Sequence, residues 1–169
     1  MKIAITDACI FIDLFLLDVI DVFFELPFEI HTTYDVLNEL NAHQIKSIQI
    51  HIDTKKLSVY SLTSEDRLNA NTLNFPRSLS QTDKTVLYLA LKLEAMVISS
   101  DKPIRNTANK LNIECHGILW IVDQFLAHGY FEKPVAKSIL TQLIAINPTI
   151  SGSDLVMREI KKRFEEWSK

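Results

Sequence analysis

The sequence predicts an α/β fold, a parallel β-sheet flanked by helices. Two observations predict it. Short apolar runs recur at residues 2–6, 28–31, 57–61, 95–99 and 113–116, each too short for a helix and bounded by polar or turn residues. Between them lie longer stretches whose apolar residues recur at helical spacing, and repeated strand-then-helix order is the mark of a parallel sheet with helical crossovers. A third observation limits what such a sheet can bind. Only three glycines occur in 169 residues, so neither a phosphate-cradling P-loop nor a dinucleotide fingerprint is present.

Lys2–Thr6 (KIAIT) forms the first strand and ends at Asp7. A helix follows over Ala8–Phe15, with Ile12, Phe15, Leu16 and Val19 along one side and a second acid at Asp13. Asp7 suits two roles equally. It is a preferred N-cap residue, and it stands at the carboxyl end of a strand, where open α/β sheets bind ligands. Phe28–His31 is a second strand. Thr32 or Thr33 then caps a helix from Tyr34 to about Ala42, with Val36, Leu37 and Leu40 facing inward and Glu39 in its middle. Glu39 also suits a solvated helix position or a pair with His43 four residues on.

Ile45–Ile52 alternates irregularly and reads as helix or loop. Leu57–Ser61 is a strand, and Thr63 starts a helix with Asp66 at the capping-box position. The polar stretch Asn69–Ser78, which holds Pro76, reads as a loop. Ser80 caps the next helix, whose Val86, Leu87, Ala90 and Leu91 face one way and whose first turn carries Asp83. Ser80-x-x-Asp83 is itself a capping box, and a carboxylate has lone pairs left after capping. Ala95–Ser99 is a buried strand with Asp101 just beyond it. Pro103–Leu111 is a helix stopped by Asn112, and Ile113–His116 is the last strand. Helices follow over Gly117–His128, closed by Gly129, and over Pro134–Ile146. Pro148 and Gly152 interrupt the chain before an amphipathic helix at Ser153–Trp167. Leu155, Val156, Ile160, Phe164 and Trp167 form its apolar side, and Lys161, Lys162 and Arg163 form a solvated polar side.

This organisation gives one body at residues 1–146 and a helical extension at 147–169, packed on the body or on a partner. The net charge of −3 argues against an electrostatic nucleic-acid binder, since such domains usually run strongly basic. Two cysteines, Cys9 and Cys115, suit a reducing compartment without a disulfide. The N-terminus lacks the pattern of a signal peptide. The apolar run Ile10–Phe24 is interrupted by Asp13, Asp18 and Asp21, too often for a membrane span of ~20 apolar residues. The expected location is therefore the cytoplasm. The apolar faces of Phe11–Phe24 and of the last helix read as exposed, and a homodimer is therefore an expected partner arrangement.

Four acids fall at telling places: Asp7 and Asp101 after strands, Asp83 at a helix start and Glu39 on a helix. Clustered carboxylates raise one another's pKa, and a hard divalent cation with a preference for oxygen relieves that penalty. Two such ions can support phosphodiester cleavage. The segments ITDACIFIDLF, YDVLNEL, LSQTDKTVLYLALKL and MVISSDKPIRNTANKLNIECHGILWIV resemble, in that order, the PIN-domain family. The likeness is greatest to toxin-type and related prokaryotic members, including a subgroup with an extra C-terminal helix, and it covers nearly the whole chain.

The resemblance implies a three-layer α/β/α sandwich with a central parallel sheet. It implies a Mg²⁺- or Mn²⁺-dependent ribonuclease, often one half of a toxin–antitoxin pair, with RNA and an antitoxin protein as partners. It places metal ligation and catalysis on Asp7, Glu39, Asp83 and Asp101. Lys102, Arg105, Lys84 and Arg77 flank that crevice and would meet RNA phosphates. The family often carries Ser, Thr or Asn two residues after the first Asp, and Cys9 stands there instead. Thr6, Cys9, Ser99 and Ser100 are the candidates for hydrogen bonds that support the acids. The departure at Cys9 keeps a second reading open, a PIN-like module that binds protein or RNA without turnover. A phosphotransferase with an aspartyl nucleophile is disfavoured, because its second acid would fall at Cys9.

Overall fold

The computed structural model describes all residues, 1–169. Its centre is a five-stranded sheet of order β3-β2-β1-β4-β5, formed by β1 (Lys2–Thr6), β2 (Phe28–Thr33), β3 (Leu57–Tyr60), β4 (Met96–Ile98) and β5 (Cys115–His116). Every neighbouring pair is parallel. β1, β2 and β4 are short, β-branched and buried at their centres, as strands covered on both faces must be.

Helices cover both faces, giving the three layers expected. From β1 to β3 the chain moves one way across the sheet through α1 (Ala8–Leu16), α2 (Ile20–Phe23), α3 (Tyr34–Leu37) and α4 (Ala42–Asp53). It returns through α5 (Ser64–Thr72) and α6 (Gln81–Leu93) to β4, and α7 (Lys102–Lys110) leads on to β5. Right-handed crossovers in opposite directions put α1, α2 and α4 on one face and α5, α6 and α7 on the other, while the short α3 packs on α6. The contacts agree: α1, α2 and α4 pack together with α8 (Ile118–Ala127) and α9 (Lys133–Ile146), and α5, α6 and α7 pack together on the other side. The short α10 (Pro148–Ser151) and α11 (Asp154–Trp167) close the chain. One continuous core runs through both layers, from Phe11 and Phe23 to Val86, Val97, Phe125 and Ile160.

Several elements differ from the sequence expectation. The helix at Tyr34 stops at Leu37 rather than Ala42. Asn41 ends it by starting another: its side chain and that of Gln44 form a reciprocal capping box at the head of α4. Residues 45–52 are therefore fully helical. Helix α5 runs to Thr72, so the loop begins at Leu73 and not at Asn69. The apolar residues of Phe11–Phe24 do not form an exposed face. Phe11, Leu14, Ile20, Phe23 and Phe24 are buried, and only Leu16 is well exposed. On α11, Ile160 is buried but Leu155 is 70% exposed. Arg163 is not a solvated cation, for it makes a bidentate pair with Asp123 at 2.7 and 2.9 Å and reaches Glu159. No helix is long and apolar enough to cross a membrane.

Candidate active site

Strand order reverses direction between β1 and β4, since the chain leaves β1 toward β2 and leaves β4 toward β5. A crevice opens at such a switch point outside the carboxyl ends of the strands. Asp7 and Asp101 stand there, one on each side. The register aligns Thr6 with Ile98, and the Asp7 N–H donates to the Ile98 carbonyl at 3.3 Å.

Both acids are also helix caps. Asp7 accepts the Ile10 N–H at 3.2 Å at the start of α1, and Asp101 accepts the Ile104 N–H at 3.4 Å at the start of α7. Asp83 lies in the first turn of α6, which packs on β1, β2 and β4. It accepts the Ser80 N–H at 2.8 Å in a complete capping box. Capping uses a fraction of each carboxylate's lone pairs, and it sets the acids at positive helix ends, which favour negative charge. A hydrogen bond between Thr33 and Thr85, 2.9 Å, ties the end of β2 to the same turn of α6.

Ser99 joins the two strand-end acids. Its hydroxyl donates to Asp7 Oδ2 and accepts the Asp101 N–H at 3.0 Å. Cys9 Sγ lies 3.0 and 3.2 Å from the two Asp7 oxygens. Burial, and then the charge of Asp7, push the Cys9 thiol well above its usual range, so it stays protonated and donates. Thus Cys9 fills the hydrogen-bonding place that its residue type made doubtful. Ser100 does not bond an acid; its hydroxyl accepts the Ile118 N–H at 3.1 Å and holds the start of α8. The Thr6 hydroxyl is buried without a partner, so Thr6 does not support the cluster either.

Asp7 is 5% exposed, and burial raises its pKa to about 6, against the opposing hydrogen bonds from Cys9, Ser99 and Ile10. The negative charge of Asp101 adds to the rise. Burial likewise raises Asp101, with Asp83 adding to it. The three aspartates therefore sense one another in sequence, and none of the three is in an ion pair. A buried carboxylate with no cationic neighbour is an incomplete electrostatic arrangement. A hard divalent ion fits it by charge and by donor chemistry, since all the donors are carboxylate oxygens. No three acidic, histidine or cysteine side chains lie close enough to hold one ion among them.

Glu39 stands apart. It lies in the turn after α3, exposed, and it makes no side-chain hydrogen bond or ion pair, with His43 or with the aspartates. Lys102 and Arg105 lie on the first turns of α7, both exposed. Arg77 is exposed in the loop before Ser80. Lys84 lines a small recess between α5 and α6 with Arg67, Asn71 and Thr85. Sequence reasoning passed over the partner of Asp13. This buried acid has its pKa raised by burial to about 6 and receives both hydrogen bonds of the Asn147 amide, at 3.0 and 3.1 Å. It is a brace between α1 and the α9–α10 junction, remote in sequence and with no motif to mark it.

A family model described as PIN domain matches residues 3–166. Endoribonuclease Nob1 of Methanocaldococcus jannaschii is 37% identical over 92 residues, which is 53% of this chain and 46% of Nob1. The chain thus matches about half the length of that relative. Two solved structures are each 16% identical to it. A PilT N-terminus domain protein from Sulfolobus solfataricus P2 has a TM-score of 0.46, covering 75% of this chain and 92% of that one. A domain of a functionally unknown protein from Methanocaldococcus jannaschii has a TM-score of 0.49, covering 70% and 91%.

Proposed function

This chain belongs to the PIN-domain family, and on that premise we propose that it is a divalent-metal-dependent endoribonuclease that hydrolyses RNA phosphodiester bonds. The observation that carries the reading is the pair of strand-end aspartates, Asp7 and Asp101, linked by one Ser99 hydroxyl at the switch point of the sheet. The likeness to Endoribonuclease Nob1 supports RNA as the substrate.

Asp7 and Asp101 would hold Mg²⁺ or Mn²⁺, with Asp83 on the facing helix completing the negative wall. Glu39 would serve as a further ligand or orient the attacking water once RNA is bound. The ion supplies positive charge for the scissile phosphate and makes a nearby water more acidic. The chain's own residues do the positioning. Cys9 and Ser99 fix both oxygens of Asp7, and the backbone of α7 fixes Asp101. Lys102, next to Asp101, and Arg105, one turn beyond it, would meet the RNA backbone, and Lys84 and Arg77 would extend that contact. Residues 1–146 are then the catalytic body, and 147–169 an extension packed on it.

The Cys9 contact supports turnover over an inactive binding module, because Asp7 keeps its hydrogen-bond donor. Likeness to toxin-type members supports an antitoxin partner. Leu16, Val135 and Ile146, all exposed beside one groove between α1 and α9, support a protein partner or a second copy there. The direct test is degradation of a fluorescent RNA by wild type and Asp7→Asn in Mn²⁺. Loss of at least 100-fold in rate is expected, on the order of what removing one key charge-stabilising group does in enzymes. Equal degradation by the two proteins would overturn the reading.

A further inference from the structure

Beside the acid cluster, a cleft of about 440 Å³ opens between the β5–α8 junction and α11. Its volume is that of a small-ligand site. Ser100 stands in its wall, between Ser99, which bonds Asp7, and Asp101. The cleft thus adjoins the acid cluster through the Ser99–Asp101 segment.

The walls have the chemistry of a nucleotide. His116 and Trp120 both line the cleft, with rings parallel within 10° and centroids 4.2 Å apart. The two rings are stacked face to face, and Phe28 packs on Trp120 with ring centroids 5.3 Å apart, so the π face left for a base to stack on is the outer face of His116. Opposite, Leu155 lies in the first turn of α11 and is 70% exposed, an apolar side chain that no contact within the chain explains. The two arginines of the cleft differ in availability. Arg163 is committed to Asp123 and Glu159. Arg105 enters no ion pair, and its guanidinium lies over Gly117, 3.5 Å from where a Cβ would stand. A Cβ there would also meet Ser100 Oγ at 3.2 Å, so glycine keeps this edge of the cleft open.

We propose that this cleft is a base pocket for the nucleotide next to the scissile phosphate. The base lies between the outer face of His116, which Trp120 backs, and Leu155, and Arg105 takes its phosphate. The proposal rests on the ribonuclease reading above for the identity of the polymer. It assigns α11, and so the segment 147–169, a part in substrate choice.

The test uses Trp120 as its own reporter. Trp167→Phe removes the only other tryptophan, and the full chain is titrated in EDTA with AMP, GMP, CMP, UMP and ribose 5-phosphate. At least one nucleotide should change Trp120 emission saturably, binding about tenfold or more tighter than ribose 5-phosphate, in line with base–aromatic stacking. Leu155→Asp should weaken that nucleotide about tenfold and leave ribose 5-phosphate unchanged. An acid in the first turn suits the helix, so the fold is kept. Arg105→Ala should weaken all five ligands. The proposal is overturned if no nucleotide binds tighter than ribose 5-phosphate, or if Leu155→Asp has no effect. Failure here with intact Mn²⁺-dependent cleavage removes only the pocket. Nucleotide binding without any cleavage removes the ribonuclease reading and leaves the cleft a nucleotide site.

Discussion

Replacing Asp7 by Asn should make the metal-free protein more stable at neutral pH while removing its response to metal. Asp7 has a folded pKa of about 6 against an ordinary 3.8, chiefly through burial. A carboxyl raised in this way stabilises the fold fully below the unfolded value, and that contribution is lost as pH rises through about 6. Above pH 7 the ionised group therefore costs about 3 kcal/mol, at 1.36 kcal/mol per pH unit. The amide carries no charge and still offers one oxygen to Ser99 or Ile10. It loses the charge-assisted part of those bonds, about 1.5 kcal/mol. The net gain is about 1.5 kcal/mol, or roughly 3–6 °C in Tm for a chain of this size. Differential scanning calorimetry in EDTA at pH 7.5 and pH 4.5 checks it. At pH 4.5 the folded wild-type group is already protonated, so the gain should vanish or reverse. In Mn²⁺ at 100 times Kd the wild type should gain about 2.7 kcal/mol and the variant almost nothing. A variant equally destabilised at both pH values would refute the claim that Asp7 is held at electrostatic expense.

Ser99→Ala removes the hydroxyl that joins Asp7 to Asp101. Urea unfolding should show a loss of about 1.5–3 kcal/mol, and calorimetric titration should show Mn²⁺ binding weakened about 10- to 100-fold. Cys9→Ser puts a stronger donor beside both Asp7 oxygens; cleavage should persist, and stability at pH 7.5 should rise slightly by chemical denaturation. Asp13 also has its pKa raised to about 6 by burial, so its contribution is present below about pH 4 and lost by pH 6. The Tm of Asp13→Asn relative to wild type should therefore become more favourable between pH 4 and pH 7, and a constant difference would contradict the assignment.

The sheet and the strand-end acids were legible because the strands are short apolar runs, and β1 and β4 are followed within three residues by an aspartate that caps the next helix. Asp7 and Asp83 carried two readings in sequence, cap and ligand, and the structure adds the cap role for Asp101. Both are compatible in three dimensions, because a cap bond leaves lone pairs free. Helix α4 was harder to see. Isoleucines at 45, 48, 50 and 52 suggest alternation, yet the buried face is Gln44, Ile48 and His51. Two of those three positions are polar: Gln44 completes a cap, and His51 bonds Asp21 at 2.6 Å while stacking on Phe24. Glu39 was misplaced for a related reason, since nothing in YDVLNEL separates Asn38 as a turn residue from a helical one. The Asp13–Asn147 brace and the Arg163–Asp123 pair join residues distant in sequence. Only the folded chain brings them together.

The decisive measurement is the chemistry of the RNA ends released from a mixed fluorescent pool with Mn²⁺, with EDTA and with Asp101→Asn. Hydrolysis by water at the Asp7–Asp101 site should yield monophosphate ends and no 2′,3′-cyclic phosphate, with wild type and Mn²⁺ only. Cyclic ends, or products that persist in EDTA or with Asp101→Asn, would contradict a metal-dependent hydrolase built on these two aspartates.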